Sequence, residues 1–419
     1  MIKKQISCDD IYETGLLSVE QALKTILKSV HTLNDSQQRP IEQAVQCCLA
    51  ENIYATFDVP SHKNSAVDGY AVLDDDIPKQ GTLQLKVVGQ AFAGKPYQGE
   101  IQAGDCLRIM TGAVLPSKMN TVIMQEHVDA KGDFIQIDAN HHLGQNVRLA
   151  GEDLTQGACV LKVGKRLTPP DIGLLASLGL AEVSVKRKLR IAIASSGDEV
   201  FALGEQRSSS GLYDSNRYSL LAALTRPDIE VIDLGIIADD PYVLLATFQE
   251  VAKRVDLIIS TGGVSVGDAD YTKSALQATG TVDFWKIAIK PGRPLAFGHI
   301  NQTAFFGLPG NPVAVMVTFY QFVIPAIEKM IGMTDKPIVP IFKVRALETI
   351  RKRAGRTEVQ RGILEQDSTG EWTVKTAGRQ GSGILYSMSL ANAFILLEHE
   401  QATVNKGDYV NVQAFSGLF

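Results

Sequence analysis

Two hydrophobic periods alternate through the middle of the chain. Apolar runs predict strands and apolar positions at helical spacing predict helices, in the order strand 189–196, helix 215–226, strand 229–235, helix 241–254 and strand 256–260. Strands that alternate with helices of ten or more residues are typical of a parallel, doubly wound sheet. The sequence lacks G-x-G-x-x-G, which disfavours an ordinary dinucleotide-binding fold.

The flanking segments follow other patterns. Amphipathic helices are predicted at 16–31, 40–50 and 169–179, and a long apolar helix at 312–332 is expected to kink at Pro325. Short β runs occupy the stretch after Asn52 and return after a linker at 334–340. We therefore predict a multidomain α/β protein with an N-terminal helical domain (1–50 plus 150–186), an inserted β-rich domain (51–149), a doubly wound α/β domain (187–333) and a C-terminal small β-barrel-like domain (337–419).

Composition narrows the class of protein. A chain of 419 residues, with 45% hydrophobic and 21% charged residues, is expected to be soluble and to form two to four domains. The formal charge of -5 gives no reason to expect nucleic acid as a partner. Five scattered cysteines indicate neither a zinc site nor a disulfide framework, and no signal peptide or run of eighteen apolar residues is found. A cytoplasmic protein that does not contact a membrane is predicted.

Candidate chemistry is densest between residues 256 and 312. The strand 256–260 is followed by a loop that carries Gly262, Gly263, Ser265, Asp268 and Asp270, and a helix is expected from about Tyr271 with Asp270 as its N-cap. Loops at the carboxyl ends of strands in an open α/β sheet bind ligands. These acids therefore indicate a site.

Positive charge follows in the next segment. Strand alternation would put Lys286, Ala288 and Lys290 on one face, with the two lysine stems about 13 Å apart, which suits an extended ligand with an anion at each end. Arg293 lies in a stiff turn and offers a planar fork for oxyanions. A third anion site is expected after Pro309, where Asn311 caps a helix that begins at Pro312. Each feature alone has a structural explanation; their density favours a site for metal and phosphate.

Acids also follow the two preceding strands. Ser196, Asp198 and Glu199 come after the first strand, while Asp239 and Asp240 come after the second. Asp240 is explained as a helix cap, but Asp239 and Glu199 are not needed for capping. Because Mg²⁺ uses one or two carboxylates plus phosphate and water, the set is sufficient for a metal and leaves acids to orient a ligand.

The outer domains contribute further candidates. In the β-rich domain, Asp68 precedes Gly69, Thr111 precedes Gly112, and Arg148 and Asp153 flank Gly151. Turn chemistry and an exposed salt-bridged loop are the alternative explanations there. In the C-terminal domain, the loop 378–389 carries Ser382 and Ser387, as either a flexible turn or an oxyanion contact.

With these strings assembled, the chain resembles the molybdopterin molybdenumtransferase (MoeA) family, which includes the E domain of gephyrin. The resemblance covers essentially the whole chain through SAVDGYA, RIMTGAVLP, R-x-x-GED, SSGDE, YDSN, DLIISTGGVSVGDADY, KIAIKPGRP and FGLPGNPV. It implies a molybdopterin-binding-like α/β domain. It also implies insertion of molybdate into adenylylated molybdopterin with Mg²⁺-dependent loss of AMP, in a homodimer whose site is lined by both subunits.

The resemblance also implies roles for particular residues. Positions tied to activity are Asp68, Thr111, Arg148, Asp153, Glu199, Asp239, Asp270, Lys286, Lys290 and Ser382. We expect Asp239 and Asp270 to hold the metal, Glu199 to orient, and Lys290, Arg293 and Ser382 to contact molybdate or the pterin phosphate. Further substrate-binding candidates are Ser196, Gly262, Gly263, Ser265, Asp268, Pro309, Asn311, Arg356 and Ser387.

Two other functions remain open from the sequence. A molybdopterin adenylyltransferase would use the same α/β domain, but the flanking β domains would have no evident purpose in it. A scaffold that binds pterin, or a partner such as that adenylyltransferase, without turnover would not need surplus metal-ready carboxylates.

Overall fold

The structure is a computed structural model that describes residues 16–262, 281, 283–334 and 340–415. Its central sheet has six strands in the order Ile229–Ile237, Leu189–Ser196, Leu257–Thr261, Thr303–Leu308, Pro294–Ile300 and Asp283–Lys286. The first four strands are parallel to one another. The fifth pairs antiparallel with the fourth, and the sixth pairs antiparallel with the fifth. Helices Ser215–Ala223 and Pro241–Val251 connect the parallel strands. The predicted doubly wound sheet is confirmed.

A long helical segment covers one face of this sheet. It consists of Pro312–Thr318, a wider π-type turn at Phe319–Val323 and Ile324–Ile331. The irregularity predicted at Pro325 thus lies just before that residue, because proline has no N–H to donate to the preceding turn. Among the described residues, Pro312–Ile331 alone is long and apolar enough to cross a membrane, but 67% of its 18-residue apolar window is buried inside the protein. It is therefore a core helix.

The N-terminal region is mixed in structure. Helix Val19–Ser29 begins with a capping box between Ser18 and Gln21 and packs against the core of the α/β sheet, and helix Pro169–Ser177 lies later in the chain. The prediction of a helix at 40–50 is wrong. A strand, Ser36–Pro40, pairs with Glu182–Lys186 and leads into a single 3₁₀ turn. Cys47, Cys48 and Leu49 are all buried, and three consecutive buried residues do not form one helical face.

The β-rich segment forms a second six-stranded sheet. Its order is Met119–Met124, Gly69–Leu73, Asp105–Ile109, Thr82–Ala91, Phe134–Asp138 and Asp129–Lys131. Short strand pairs extend it or connect it to the N-terminal region: Asn64–Ser65 with Val147–Arg148, and Ile53–Tyr54 with Cys159–Leu161. A further pair, Val200–Phe201 with Leu212–Tyr213, follows the first strand of the α/β sheet.

The C-terminal β runs close into a five-stranded barrel. Around it, the order is Thr357–Gln366, Trp372–Thr376, Ile341–Ala346, Tyr409–Ala414 and Ala393–Leu397, which pairs again with the first. A short helix, Leu385–Leu390, lies in the loop before the last two strands. The predicted barrel-like domain is confirmed.

One prediction about the lysine-bearing segment is wrong. Residues 283–290 do not form one continuous strand, because Asp283–Lys286 pairs in the α/β sheet while Ile289–Lys290 pairs with Thr357 and Glu358 of the barrel. A tight turn, in which the Ile289 N–H donates to the Ile287 carbonyl at 2.8 Å, separates the two pieces. Lys286 and Lys290 are both exposed, but they belong to different sheets.

Candidate active site at the carboxyl edge of the sheet

Acidic side chains meet where two neighbouring strands end. Ser196 lies beside Ile237 in the parallel register, so the residues that follow each strand emerge at the same edge. Partial burial raises the pKa of Asp239, and the negative charges of Asp198 and Glu199 raise it further. Asp239 therefore lies within electrostatic reach of the two acids that follow the neighbouring strand.

We call Asp198, Glu199 and Asp239 the acid cluster; each carboxylate could contribute to a divalent-cation site, but the three do not form one by themselves. Mg²⁺ prefers carboxylate oxygens, and neutralising mutual repulsion favours its binding. Within the described ranges, no group of three acidic, histidine or cysteine side chains is close enough to form a preformed metal site. The second predicted metal ligand, Asp270, lies outside the described residues, as do Gly263, Ser265, Asp268 and the helix predicted from Tyr271.

Asp240 acts as the sequence predicted. Its carboxylate accepts hydrogen bonds from the N–H groups of Tyr242 and Val243 at 2.8 and 3.1 Å, which caps the helix that starts at Pro241. Its neighbour Asp239 makes no cap bond of this kind and stays with the acid cluster.

A close backbone approach fixes the end of strand Leu257–Thr261 against the end of strand Leu189–Ser196. Gly262 has φ +81°, and a Cβ added to it would lie 2.1 Å from the Ser196 carbonyl oxygen. The Ser196 side chain is 3% exposed, and its hydroxyl has no hydrogen-bond partner among the described residues. Beneath this point, the Ser195 hydroxyl donates to Asp214 at 3.0 Å and contacts the Thr261 hydroxyl at 3.1 Å. The strand ends are therefore joined by buried polar contacts.

We expect Gly262→Ala to lower the free energy of unfolding by about 3 kcal/mol or more and to impair activity. The added methyl group would clash with the Ser196 carbonyl, and alanine is strained at this positive φ. Gly235→Ala is the matched control, since Gly235 has φ +71° but open space around its Cβ position. Urea unfolding should show a clearly smaller loss for Gly235→Ala; equal losses would mean that the close approach is not important.

The loop 379–383 of the barrel domain lies against the same edge of the α/β sheet. The Val313 N–H donates to the Ser382 carbonyl at 3.0 Å, and a Cβ on Gly383 would lie 3.8 Å from Asn311 Oδ1. Asn311 is the N-cap residue of the helix, as predicted, but its side chain makes no capping hydrogen bond. Pro309, just before it, is buried. The structure thus brings Asn311 and Ser382 together.

A cleft of about 300 Å³ opens between the α/β domain and the barrel. We call it the barrel cleft. Its charged lining residues are Lys290, Arg351, Glu358 and Arg361, and its neutral polar ones include Gln360, Thr376 and Gln380. Three cations and one carboxylate give it a net positive lining, which suits an anion.

Arg361 is one of the cleft residues that were not predicted from the sequence. It is 0% exposed and donates to the Ser387 hydroxyl at 3.0 Å and to the carbonyls of Arg379 and Gly381 at 3.2 and 3.1 Å. Its side-chain partners in these bonds are neutral, and burial lowers its pKa to about 10. A buried guanidinium held by neutral groups adds positive potential behind the wall of the cleft.

Ser387, a predicted substrate-binding residue, lies beside Arg361. Ser387 is 2% exposed, accepts from Arg361 and donates to the Ile384 carbonyl at 2.7 Å. In this structure its hydroxyl therefore helps to hold Arg361, and its contact with a substrate stays a prediction.

Lys290 lies at the mouth of the cleft beside a buried acid. Its ammonium group is 3.6 Å from Glu358 Oε1, and the side chains are 47% and 7% exposed. Arg356 lies just before the barrel strand that carries Glu358 and contributes positive potential at the buried Lys352, whose pKa is lowered chiefly by burial. The predicted candidates Lys290 and Arg356 therefore lie together.

A separate group of predicted residues is joined within the β-rich domain. The backbone N–H and the hydroxyl of Thr111 both donate to Asp68 Oδ1 at 2.8 Å, and these two bonds lower the pKa of Asp68. Arg148 pairs with Asn64 in the short strand ladder, and the Asp153 N–H donates to the Val59 carbonyl at 3.0 Å. The segments that carry all four residues are thus in contact, and these hydrogen bonds lie within this region of the chain.

The backbone carbonyls of two predicted cations, Lys286 and Arg293, accept hydrogen bonds that hold the segment between the α/β sheet and the barrel. The Lys286 carbonyl accepts from the Leu17 N–H at 3.0 Å, and the Arg293 carbonyl accepts from the Ile287 N–H at 2.8 Å. Both side chains have interactions of their own. Gly292, directly before Arg293, has φ +108°. It packs against the helix Pro312–Thr318 so closely that an added Cβ would lie 2.6 Å from the Thr318 methyl group.

Acids at adjacent strand ends and a cationic cleft under the barrel define an α/β enzyme that handles anionic substrates. Three family models match consecutive parts of the chain: "MoeA N-terminal region (domain I and II)" at residues 17–179, "Probable molybdopterin binding domain" at 192–329 and "MoeA C-terminal region (domain IV)" at 343–415. The chain belongs to the MoeA family of molybdopterin molybdenumtransferases, as its motifs indicated.

Individual relatives support this membership. A molybdopterin molybdenumtransferase of Haemophilus influenzae is 40% identical over 404 residues, which cover 96% of this chain and 100% of that protein. A gephyrin of Dictyostelium discoideum is 31% identical over 94% of this chain and 62% of its own length. The crystal structure of a molybdopterin biosynthesis moeA protein from Pyrococcus horikoshii OT3 superimposes with a TM-score of 0.84 at 28% identity, covering 95% of this chain and 100% of that one.

Proposed function

We propose that this chain is a molybdenum insertase. It inserts molybdate into adenylylated molybdopterin, with Mg²⁺-dependent release of AMP, and yields the molybdenum cofactor. The substrates are anionic and the reaction breaks a phosphoanhydride, so catalysis is chiefly positioning and stabilisation of charge. We place the enzyme in the cytoplasm, with its substrate supplied by an adenylyltransferase.

One observation carries the proposal: the loop 379–383 lines both halves of the site. Gln380 lines the barrel cleft, the Gly381 carbonyl holds Arg361, and the Ser382 carbonyl accepts from Val313 at the carboxyl edge of the sheet. An anion in the cleft therefore lies on the same structural unit as the ligand-binding edge of the sheet. This is the arrangement that transfer of an oxyanion onto a phosphorylated substrate requires.

The chain's own residues divide the work. Lys290 binds the oxyanion, the buried Arg361 adds positive potential behind it, and Asn311 and the helix that begins at Pro312 position a phosphate. Asp239, with Asp198, Glu199 and the predicted ligand Asp270, would hold Mg²⁺. When bound, Mg²⁺ neutralises phosphate charge and polarises the bond to AMP.

We further propose that the chain acts as a homodimer. Asp68, Arg148 and Asp153 are all exposed, on the β-rich domain and the segment that directly follows it, and the hydrogen bonds that organise them are internal to that region. A second subunit would allow this group to complete the site at the carboxyl edge, which is the role that the family resemblance implies for it.

The test is an assay of AMP release by the purified full chain with adenylylated molybdopterin, molybdate and Mg²⁺. We expect AMP and molybdenum cofactor to form together, and omission of molybdate or Mg²⁺ to abolish both. ATP-dependent adenylylation of molybdopterin with release of pyrophosphate would instead indicate an adenylyltransferase. Pterin binding without AMP release under any of these conditions would indicate a scaffold.

A further inference from the structure

We propose that Glu358 makes the barrel cleft selective for an oxyanion that carries a proton, and thereby for molybdate over sulfate. The inference rests on the proposed function, since it takes molybdate as the ligand of the cleft. It assigns a specificity-determining role to a residue on the cleft wall.

Glu358 is fixed at the wall of the cleft. It is 5% exposed, and its Oε2 accepts from the Gln360 amide nitrogen at 3.0 Å. The same nitrogen also donates to the Arg351 carbonyl at 3.2 Å, so Gln360 holds the carboxylate in one orientation. Its Oε1 is the atom nearest to Lys290, at 3.6 Å. The carboxylate is therefore a defined feature of the cleft.

The groups around Glu358 are mostly cationic. Lys290 faces it from the short strand Ile289–Lys290, and Lys352 and Arg356 lie in the loop before its own strand. Arg351 and Arg361 line the same cleft, and apolar Leu397 lies opposite Glu358 on the neighbouring barrel strand. Positive charge alone would attract any small anion of the right size. The carboxylate is the one element of the described cleft lining that works against this general attraction.

An ionised carboxylate can only accept hydrogen bonds. It repels a fully deprotonated oxyanion but bonds to an oxyanion whose facing oxygen carries hydrogen. Discrimination then comes from an unfavourable contact with the wrong ligand as well as from a favourable contact with the right one.

Molybdate and sulfate are both tetrahedral dianions, so shape and charge distinguish them poorly. Their oxygens differ in basicity, because the longer and more polar Mo–O bonds leave more negative charge on each oxygen. When molybdate enters the cleft, one proton from solvent adds to one of its oxygens, and the resulting O–H donates to Glu358. No Mo–O bond breaks and no atom is oxidised or reduced. Sulfate takes up a proton far less readily, so it meets the carboxylate as an unprotonated anion.

Titration calorimetry of the full chain at neutral pH tests the proposal. Sodium molybdate and sodium sulfate are each titrated in two buffers that differ in ionisation enthalpy, which counts the protons taken up on binding. We expect about one proton per molybdate and, by linkage, an affinity that falls about tenfold for each unit of increasing pH. Sulfate should bind at least about 100-fold more weakly.

Glu358→Gln supplies the matched comparison, because the amide can donate to a deprotonated oxygen. In this variant, proton uptake should disappear and the preference for molybdate over sulfate should fall about tenfold or more. Glu365→Gln is the control: Glu365 is on the same strand, is 43% exposed and pairs with Lys375 at 2.9 Å outside the cleft lining. It should keep the wild-type proton uptake and preference.

Two results would overturn the proposal: molybdate binding by the wild type without proton uptake, or an unchanged preference in Glu358→Gln. The wild-type measurement needs no variant and decides the question even if Glu358→Gln folds poorly. Either negative result leaves molybdate-dependent AMP release intact. Loss of that dependence in the separate turnover assay would instead reject the proposed function itself.

Discussion

Asp239→Asn is expected to lower the rate of AMP release by about 100-fold or more, while thermal stability stays the same or rises. An amide oxygen is a weaker ligand for Mg²⁺ than a carboxylate, and the metal contributes several kcal/mol of charge stabilisation to phosphoryl chemistry. The stability expectation follows from the sign of the pKa shift. Burial and the charges of Asp198 and Glu199 raise the pKa of Asp239, so its ionised form is disfavoured in the folded protein without metal.

The neighbouring residue provides a close control for this variant. Asp240→Asn makes the same chemical change one position further on, at a helix cap where asparagine serves about as well as aspartate. Its rate should remain within about twofold of the wild type. Magnesium titrations of AMP release should show a raised requirement only for Asp239→Asn. Equal rates for the two variants would remove Asp239 from the metal site.

Lys290→Ala is expected to raise the molybdate concentration needed for half-maximal AMP release by about 100-fold. A charge-assisted hydrogen bond to the oxyanion is lost, and Glu358 loses the ion pair with Lys290. Because the lysine is 47% exposed, we expect a stability loss of only about 1 kcal/mol. Steady-state kinetics over a range of molybdate concentrations, with thermal melting alongside, separate the two effects.

Lys343→Ala serves as the control for this second variant. Lys343 is an exposed lysine on the barrel strand Ile341–Ala346 and is not among the residues that line the cleft. It should show a normal molybdate dependence. If Lys290→Ala behaved in the same way, the assignment of the barrel cleft to the oxyanion would be wrong.

Local patterns predicted much of the fold. The strand Leu189–Ser196 and the helix that follows Asp214 begin where the sequence indicates, because apolar periodicity and capping are local signals. The barrel strands were equally visible in alternating runs. The segment 283–290 was misjudged because alternation continues through it, while the break between two sheets depends on what each half pairs with. The bounds of the domains and the roles of the site residues stay predictions.

The site was predictable where acids follow strands, since parallel register alone brings Glu199 and Asp239 to one edge. It was not predictable at Arg361, because a charged residue in a β run is normally interpreted as solvent-facing. Its burial depends on Ser387 and on carbonyls of the loop 379–383, which are distant in sequence. Glu358 went unnoticed for the same reason. Glu358 and Arg361 are three residues apart and therefore lie on opposite faces of the strand, so no single alternation pattern would have identified both.

The short strand Ile289–Lys290 limits how the barrel domain can be exchanged between homologues. Because these residues hydrogen-bond to Thr357 and Glu358, part of the barrel's ladder is encoded before the linker that leads to the barrel. The barrel domain cannot be grafted from another homologue by joining chains at that linker without mismatching one wall of the pocket. Successful chimaeras will need a junction upstream of residue 283, so that the lysine and its carboxylate partner are inherited together.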